Sequence, residues 1–277
     1  MIIDTSSKGK IENSLAQLLD ISVSKLYDQI LGAYLESIDK QGVFTKDIFD
    51  ETMIHLFATH HPIFNVDEVY VYHLTRRLCS ASDDLSARNL KDLLLNPSAI
   101  RAFLYQHGIS FTEINNHSVL FYNGNKVDLS DVNEPDTLYL RYRLGYDDEL
   151  DYCFNGFLFY DILPHTDYYM PLSECPEFIS ILSRYLGNSA IITDYYRSSK
   201  YYCYTYKLNI NSIIIDGRED LKHDEKVRFI IIQICRRLLE YIMPDLFSLD
   251  DFSSIVRTDD NTSVNPDCFV RKEEIML

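Results

Sequence analysis

Tryptophan is absent from this 277-residue chain, and basic residues are outnumbered, 26 against 42 acidic ones. The resulting formal charge of −16 argues against non-specific nucleic-acid binding, which draws its affinity from neutralising phosphates. No apolar run approaches the roughly 18 to 20 residues needed to span a bilayer, so no membrane association is expected. Residues Met1 to Lys8 lack the basic start and apolar core of a signal peptide, which points to a cytoplasmic protein. The six cysteines form no Cys-x-x-Cys pair and none sits near histidine at zinc-finger spacing. Reduced, mostly buried thiols are expected, and no metal. Gly-x-x-x-x-Gly-Lys-Ser/Thr, Gly-x-Gly-x-x-Gly, His-Glu-x-x-His and Gly-x-Ser-x-Gly are all missing, which disfavours several common nucleotide-binding and hydrolase classes.

What is present describes a globular α+β protein, 46% hydrophobic and 25% charged. After a polar start, Ile11 to Asp39 repeats leucine and isoleucine at three- and four-residue spacing, and Lys46 to His60 continues the helical pattern behind Thr45. Residues 1–66 therefore read as an N-terminal helical segment, with Pro62 and Asn65 marking a loop after it, and 67–277 as an α+β domain. In the second part, helices are expected from about Ser82 to Leu95, from Ala99 to His107, from Pro171 to Leu186 and from Asp224 to Ile242. Strands are expected at Glu68–His73, in a meander around Ser110–Leu129, at Leu138–Leu144, Asp151–Tyr160, Ser189–Thr193, Tyr201–Ile215 and Asp267–Arg271. Of the 21 tyrosines, 14 lie between Tyr139 and Tyr206, a density that favours a mainly antiparallel, Tyr-rich sheet with inserted helices.

The polar residues that stand out are few. The strand Glu68 to Tyr72 runs straight into His73, Thr75, Arg76 and Arg77, which aims hydrogen-bonding groups from a strand end. For a single histidine, a structural or exposed role is the commoner alternative. His60 and His61 suit a helix end, where they complement the dipole. Arg141 and Arg143 would share one face of the expected strand, either holding an anion or pairing with carboxylates. Carboxylate pairs such as Asp147-Asp148 and Asp259-Asp260 lie in turn-like segments and read as solvated faces.

Three segments taken in order carry a family resemblance. Tyr72-His73-Leu74-Thr75 resembles the first motif of the histidine–tyrosine–glutamate branch of the ADP-ribosyltransferase superfamily. Gly156-Phe157-Leu158-Phe159-Tyr160-Asp161 is similar to the second, and Asp267-Cys268-Phe269-Val270, followed by Glu273-Glu274-Ile275, to the third. Leu74 stands where the family has glycine, Leu158 where it most often has tyrosine, and Asp267 where it has glutamate. The resemblance covers residues 67–277 and implies NAD as substrate, with catalytic His73, Tyr160 and Asp267. It also implies cofactor contacts from His73, Thr75, Arg76, Gly156, Phe159 and Tyr160, the histidine holding a ribose hydroxyl.

Cleaving the nicotinamide–ribose bond builds positive charge on the ribose, so the chemistry needs a carboxylate and a firmly held cofactor. The leading expectation is thus an NAD-dependent mono-ADP-ribosyltransferase, a bacterial toxin or defence effector acting on a macromolecular acceptor. The alternative is a non-enzymatic acidic interaction module, with a protein partner docking on the N-terminal helices. A metal-independent nuclease built on His73 ranks third.

Overall fold

The computed structural model describes residues 1–60, 66–81, 83–146 and 151–277, without the side chains of residues 59, 60, 249 and 250. The expected His60-His61 pair, the Pro62–Asn65 loop, the Ser82 cap and Asp147-Asp148 lie wholly or partly outside these. In chain order the helices are α1 (Lys8–Leu19), α2 (Val23–Glu36), α3 (Lys46–His60), α4 (Leu90–Leu95), α5 (Ala99–Gln106), α6 (Pro135–Leu144), α7 (Tyr169–Glu174), α8 (Glu177–Tyr185), α9 (Ala190–Arg197) and α10 (His223–Glu240). The strands are β1 (Ile2–Ile3), β2 (Glu68–Leu78), β3 (Ile109–Ile114), β4 (His117–Tyr122), β5 (Asn125–Lys126), β6 (Asn155–Phe157), β7 (Ser199–Asn209), β8 (Ile214–Ile215), β9 (Ile255–Arg257) and β10 (Phe269–Glu274). The class is α+β. Among the described residues no helix is long and apolar enough to cross a membrane.

The chain divides into two compact units, and neither is a continuous stretch. Unit 1 comprises residues 1–72, 157–166 and 207–256; unit 2 comprises 73–156, 167–206 and 257–277. The N-terminal helices expected to stand apart before residue 67 share unit 1 with α10. The polar start of the chain contains β1, parallel to the start of β2 with Ile2 opposite Glu68 and Ile3 opposite Val69.

Unit 1 is a helical core around α10. Val227, Ile230, Ile231, Ile234 and Leu238 of that helix are buried. They belong with Ile11, Leu15 and Leu19 of α1, Leu26 and Ile30 of α2, and Phe49, Met53 and Phe57 of α3. Each such side chain, fully buried, contributes roughly 1.5–3 kcal/mol. Helix α1 packs on α2 and α10, and α10 on α2 and α3. Ion pairs that join elements within this unit include Arg236 with Asp50 and Lys46 with Asp251.

In unit 2 the hairpins are set by turn chemistry. Asn115 and Asn116 join β3 to β4 with both φ values positive, and Asn123 and Gly124 join β4 to β5 in the same way. Those are the dihedrals of a type I′ turn, which asparagine and glycine tolerate. Gly108, just before β3, has φ +75° and sits so close to Asn123 that an added Cβ would fall 2.2 Å from its Oδ1. Any other residue would have to displace the Asn123 side chain and hold a left-handed φ. Helices α4, α5, α6, α8 and α9 cover this hairpin sheet and one another, burying Leu94, Phe103, Leu120, Leu140, Leu182 and Ile191 among others.

Two expected strands of unit 2 are helices. Leu138–Leu144 alternates Leu and Tyr or Arg, yet it lies in α6, with Pro135 in the first turn and Gly145 at φ 76° as its cap. The buried set is Thr137, Leu140 and Leu144, which is a helical spacing. Arg141 and Arg143, two apart on a helix, therefore share no face: Arg143 pairs with Asp151 at 2.7 Å and Arg141 donates to the Leu129 carbonyl at 3.0 Å. Ser189–Thr193 opens α9, whose buried residues Ile191 and Tyr195 are four apart. The expected Pro171–Leu186 helix is broken at Cys175-Pro176 into α7 and α8.

Candidate functional site

Strand β2 changes its buried face part-way along. Val69 and Val71 are buried, but from Tyr72 onward it is Tyr72, Leu74, Arg76 and Leu78 that are buried, while His73, Thr75 and Arg77 are half-buried. Because side chains alternate along a strand, His73 follows Val69 and Val71 on the same face, at the point where that face opens. His73 is the first polar group on it.

The His73 ring is framed by two aromatic rings of unit 2, Phe154 with centroids 4.9 Å away and Tyr206 at 6.5 Å. Its Nδ1 lies 2.6 Å from the Asn155 carbonyl oxygen. A carbonyl only accepts, so Nδ1 carries the proton, and Nε2 of the neutral ring is a free acceptor. Among the described residues Nε2 has no hydrogen-bond partner. Burial, helped by the nearby charge of Arg77, pushes the imidazole from 6.5 down to about 4, against the opposing effect of the Asn155 hydrogen bond. The ring stays neutral at physiological pH.

Arg77 forms the back of this site. It donates to the carbonyls of Asp84 (2.6 Å) and Ser86 (2.8 Å) and to the Tyr206 hydroxyl (3.3 Å), and its guanidinium lies 4.3 Å from the Tyr204 ring centroid. Tyr204 stacks on Tyr206, and both meet Phe269 edge-on. The Tyr204 hydroxyl is buried and lacks a hydrogen-bond partner among the described residues. An unmet buried hydroxyl costs about 1–3 kcal/mol, so this wall has unused hydrogen-bonding capacity beside an unused imidazole nitrogen.

The other residues singled out from the sequence are placed differently. Arg76, expected to pair with pyrophosphate, points to the opposite, buried face of β2. Its guanidinium donates to Ser173 O (2.6 Å), Tyr196 O (2.8 Å), Ser199 O (3.0 Å) and Ser199 Oγ (2.8 Å), and stacks on Tyr196. Every nitrogen of it is occupied within unit 2, so it is a structural tie. Leu74 and Leu78 on either side carried the signal, because period two puts Arg76 on their apolar face. Phe159, expected among the cofactor contacts, is fully buried in unit 1 against Phe252. Tyr160 also belongs to unit 1, where its ring packs edge-on to Tyr72 at 5.4 Å and its N–H donates to Thr5 O at 3.3 Å. Gly156 is buried in β6, and Thr75 is half-buried beside His73 on the strand. Asp267 is exposed in the turn before β10, its N–H donating to Asn265 Oδ1 at 2.9 Å. The Tyr206 ring lies between His73 and Phe269, two residues beyond Asp267. Of the expected set, unit 2 thus holds His73, Thr75, Arg76, Gly156 and Asp267, and it surrounds His73 with Phe154, Arg77 and Tyr206, none of which the motifs named. In the sequence Arg77 stood out only as the end of the polar strand tip, and Tyr206 only as one of the clustered tyrosines.

One further cluster of unit 2 offers metal-ligand atoms. Asp151, Cys153 and Asp260 bring one ligand atom each within 4.8 Å of one another. Their charge is already balanced: Arg143 lies 2.7 Å from Asp151 and Arg257 3.5 Å from Asp260. Asp260 also accepts from the N–H groups of Tyr152 and Cys153 at 2.8 and 3.1 Å. Burial and the two carboxylates push the Cys153 thiol up, which keeps it protonated and a poor ligand. The cluster is accounted for as an ion-paired tie of residues 143, 151–153 and 257–260.

Compared with protein-family models, with curated proteins and with solved structures, the chain matches none.

Proposed function

We propose that the His73 site of unit 2 binds the ribose of NAD and that the protein is an ADP-ribosyltransferase. One observation carries the reading: a histidine held neutral, its Nδ1 proton tied to Asn155 and its Nε2 open, between two aromatic rings. That nitrogen accepts a ribose hydroxyl proton, and the rings of Phe154 and Tyr206 give a flat base something to stack on. Arg76 and Phe159 drop out of the cofactor set, being committed elsewhere. Asp267 is assigned as the carboxylate that faces the positive charge developing on the ribose. In the reaction the bond from ribose C1′ to nicotinamide breaks, nicotinamide leaves with the electron pair, and a nucleophilic oxygen or nitrogen of the acceptor bonds to C1′ and gives up its proton.

The test is incubation of the full chain with adenylate-labelled NAD and cell lysate, beside calorimetric titration with unlabelled NAD. Wild type is expected to bind NAD and transfer label. H73L, which keeps a side chain of similar bulk but offers no hydrogen-bond acceptor, is expected to lose at least about tenfold in affinity. D267N is expected to bind normally and transfer slowly. Binding should be flat from pH 8 to about pH 5, because His73 titrates only at about 4. No NAD binding by wild type at millimolar concentration, or equal transfer by wild type and H73L, overturns the reading.

A second reading, the acidic interaction module, is favoured by a different observation: β10 ends its sheet with one edge unpaired among the described strands.

A further inference from the structure

Strand β10 pairs with β7 on one side only. Its register sets Arg271 opposite Thr205, Lys272 opposite Tyr204, Glu273 opposite Cys203 and Glu274 opposite Tyr202. The next residue, Ile275, donates its N–H to the Tyr201 carbonyl at 2.9 Å. In an antiparallel ladder the residues whose backbone faces a given neighbour alternate. Arg271, Glu273 and Ile275 therefore turn their backbone groups toward β7, and Lys272 and Glu274 turn theirs outward.

We propose that two copies of this chain pair antiparallel through this open edge, about a twofold axis at Glu273. The outward-facing residues are one cation and one anion, two positions apart. With the axis at Glu273, Lys272 lies opposite Glu274 of the partner subunit, and Glu274 opposite Lys272 of the partner subunit. These are the hydrogen-bonded pairs of the new ladder, each exchanging both N–H···O bonds, so backbone and side-chain complementarity fall on the same residues. Glu273 meets its own copy at the axis, but Arg271 lies 3.2 Å from Glu273 on the same face and offsets both carboxylates. Glu274 is already steadied by Lys200 at 2.9 Å and remains accessible. Met276, 90% exposed, then comes beside Val270, 40% exposed, at each end of the pairing.

Shifting the axis by one residue loses this. Centred on Lys272, the pairing sets lysine against lysine; centred on Glu274, it sets glutamate against glutamate. Edge strands are commonly guarded by charge, yet a guard of one sign repels a copy, whereas this alternating one fits it. The −16 charge of each chain opposes association at long range, and the ~8 Å Debye length of physiological salt confines that repulsion while sparing contact pairs. A ladder this short buries little area, so a weak, reversible dimer is expected.

Sedimentation equilibrium of the full chain at 0.15 M salt, from micromolar to millimolar concentration, tests the pairing. Wild type is expected to move from monomer to dimer mass. K272E and E274K alone each place like charges opposite one another and are expected to weaken the dimer about tenfold or more. Mixed together they restore opposite charges at both pairs, so the mixture should dimerise as well as wild type. A second measurement uses E273C in a C79S background, with circular dichroism confirming the fold. The two introduced thiols, one from each copy, occupy a non-hydrogen-bonded pair with Cα atoms about 4.5 Å apart, within disulfide reach, and should cross-link under mild oxidation. A wild type that stays monomeric overturns the proposal, as does one that dimerises without responding to the charge reversals or without cross-linking at position 273. A monomer that binds an extended peptide at β10 but not its own copy overturns it too.

Discussion

Unit 1 and unit 2 each hold an aromatic polar cluster, and the two differ in whether their charges cancel. In unit 1, Asp161 Oδ2 accepts from Arg237 Nη2 at 2.5 Å, from Arg237 Nε at 3.2 Å and from the Tyr241 hydroxyl, while Arg237 also lies over the Tyr241 and Phe252 rings. Carboxylate and guanidinium cancel each other, the cluster joins residues 157–166 to α10, and Asp161 Oδ1 is buried without a hydrogen-bond partner among the described residues. In unit 2, His73, Arg77, Tyr204 and Tyr206 form an equally aromatic cluster, but among the described residues no carboxylate side chain is hydrogen-bonded to them and one imidazole nitrogen stays open. A cluster whose charges cancel holds a fold together. The other keeps a neutral acceptor at a half-buried strand face, the feature on which the proposed NAD site rests.

The sharpest way to break the comparison is on the buried face of the same strand. R76A removes four hydrogen bonds, those to the buried residues Ser173 and Ser199 among them, so it is expected to destabilise by about 3–5 kcal/mol in denaturant unfolding. A loss under about 1 kcal/mol would show that Arg76 is not a structural tie, and would return it to the set of ligand contacts. D161A leaves Arg237 without its counter-charge, for an expected loss of about 2–4 kcal/mol, with NAD binding to the folded fraction unchanged.

The next effect is one of pH. The fold favours neutral His73, whose folded value of about 4 lies below the 6.5 of the unfolded chain. Its contribution is fully present above pH 6.5 and is lost as pH falls from there toward 4, by about 1–3 kcal/mol. Stability measured between pH 7 and 4 should therefore fall less steeply in H73Q than in wild type; parallel curves would mean that His73 titrates as an ordinary exposed histidine. Smallest of all is a surface pair. The Arg184 guanidinium holds the Asp136 carboxyl below its usual range, yet Arg184 is largely exposed, so R184A is expected to cost less than about 1 kcal/mol.

Much of the fold was legible because its signals are local. The α10 stripe from Val227 to Leu238 and the Asn115-Asn116 turn declare themselves within a few residues. Leu138–Leu144 misled because leucine and tyrosine alternate there, while burial, which follows Thr137, Leu140 and Leu144, is decided by the sheet and helices it packs on. The candidate site was half legible. His73 stood out as the polar end of an apolar strand; Arg76 was misjudged because the face it occupies becomes the buried one only beyond Val71. Phe154 and Tyr206 had no local mark, since their nearness to His73 spans 81 and 133 positions of chain.

By itself, then, the sequence determined the α+β class, the acidic surface, the helical stripes and hairpin turns, and the strand that ends in His73. Each follows from interactions among residues close together in the chain, where periodicity and turn chemistry suffice. The tertiary structure alone decided that the units are discontinuous, that Arg76 is a tie and Arg77 a wall, and that His73 stays neutral. Those outcomes depend on which distant groups desolvate and pair with one another, and burial is a property of the packed chain rather than of any segment.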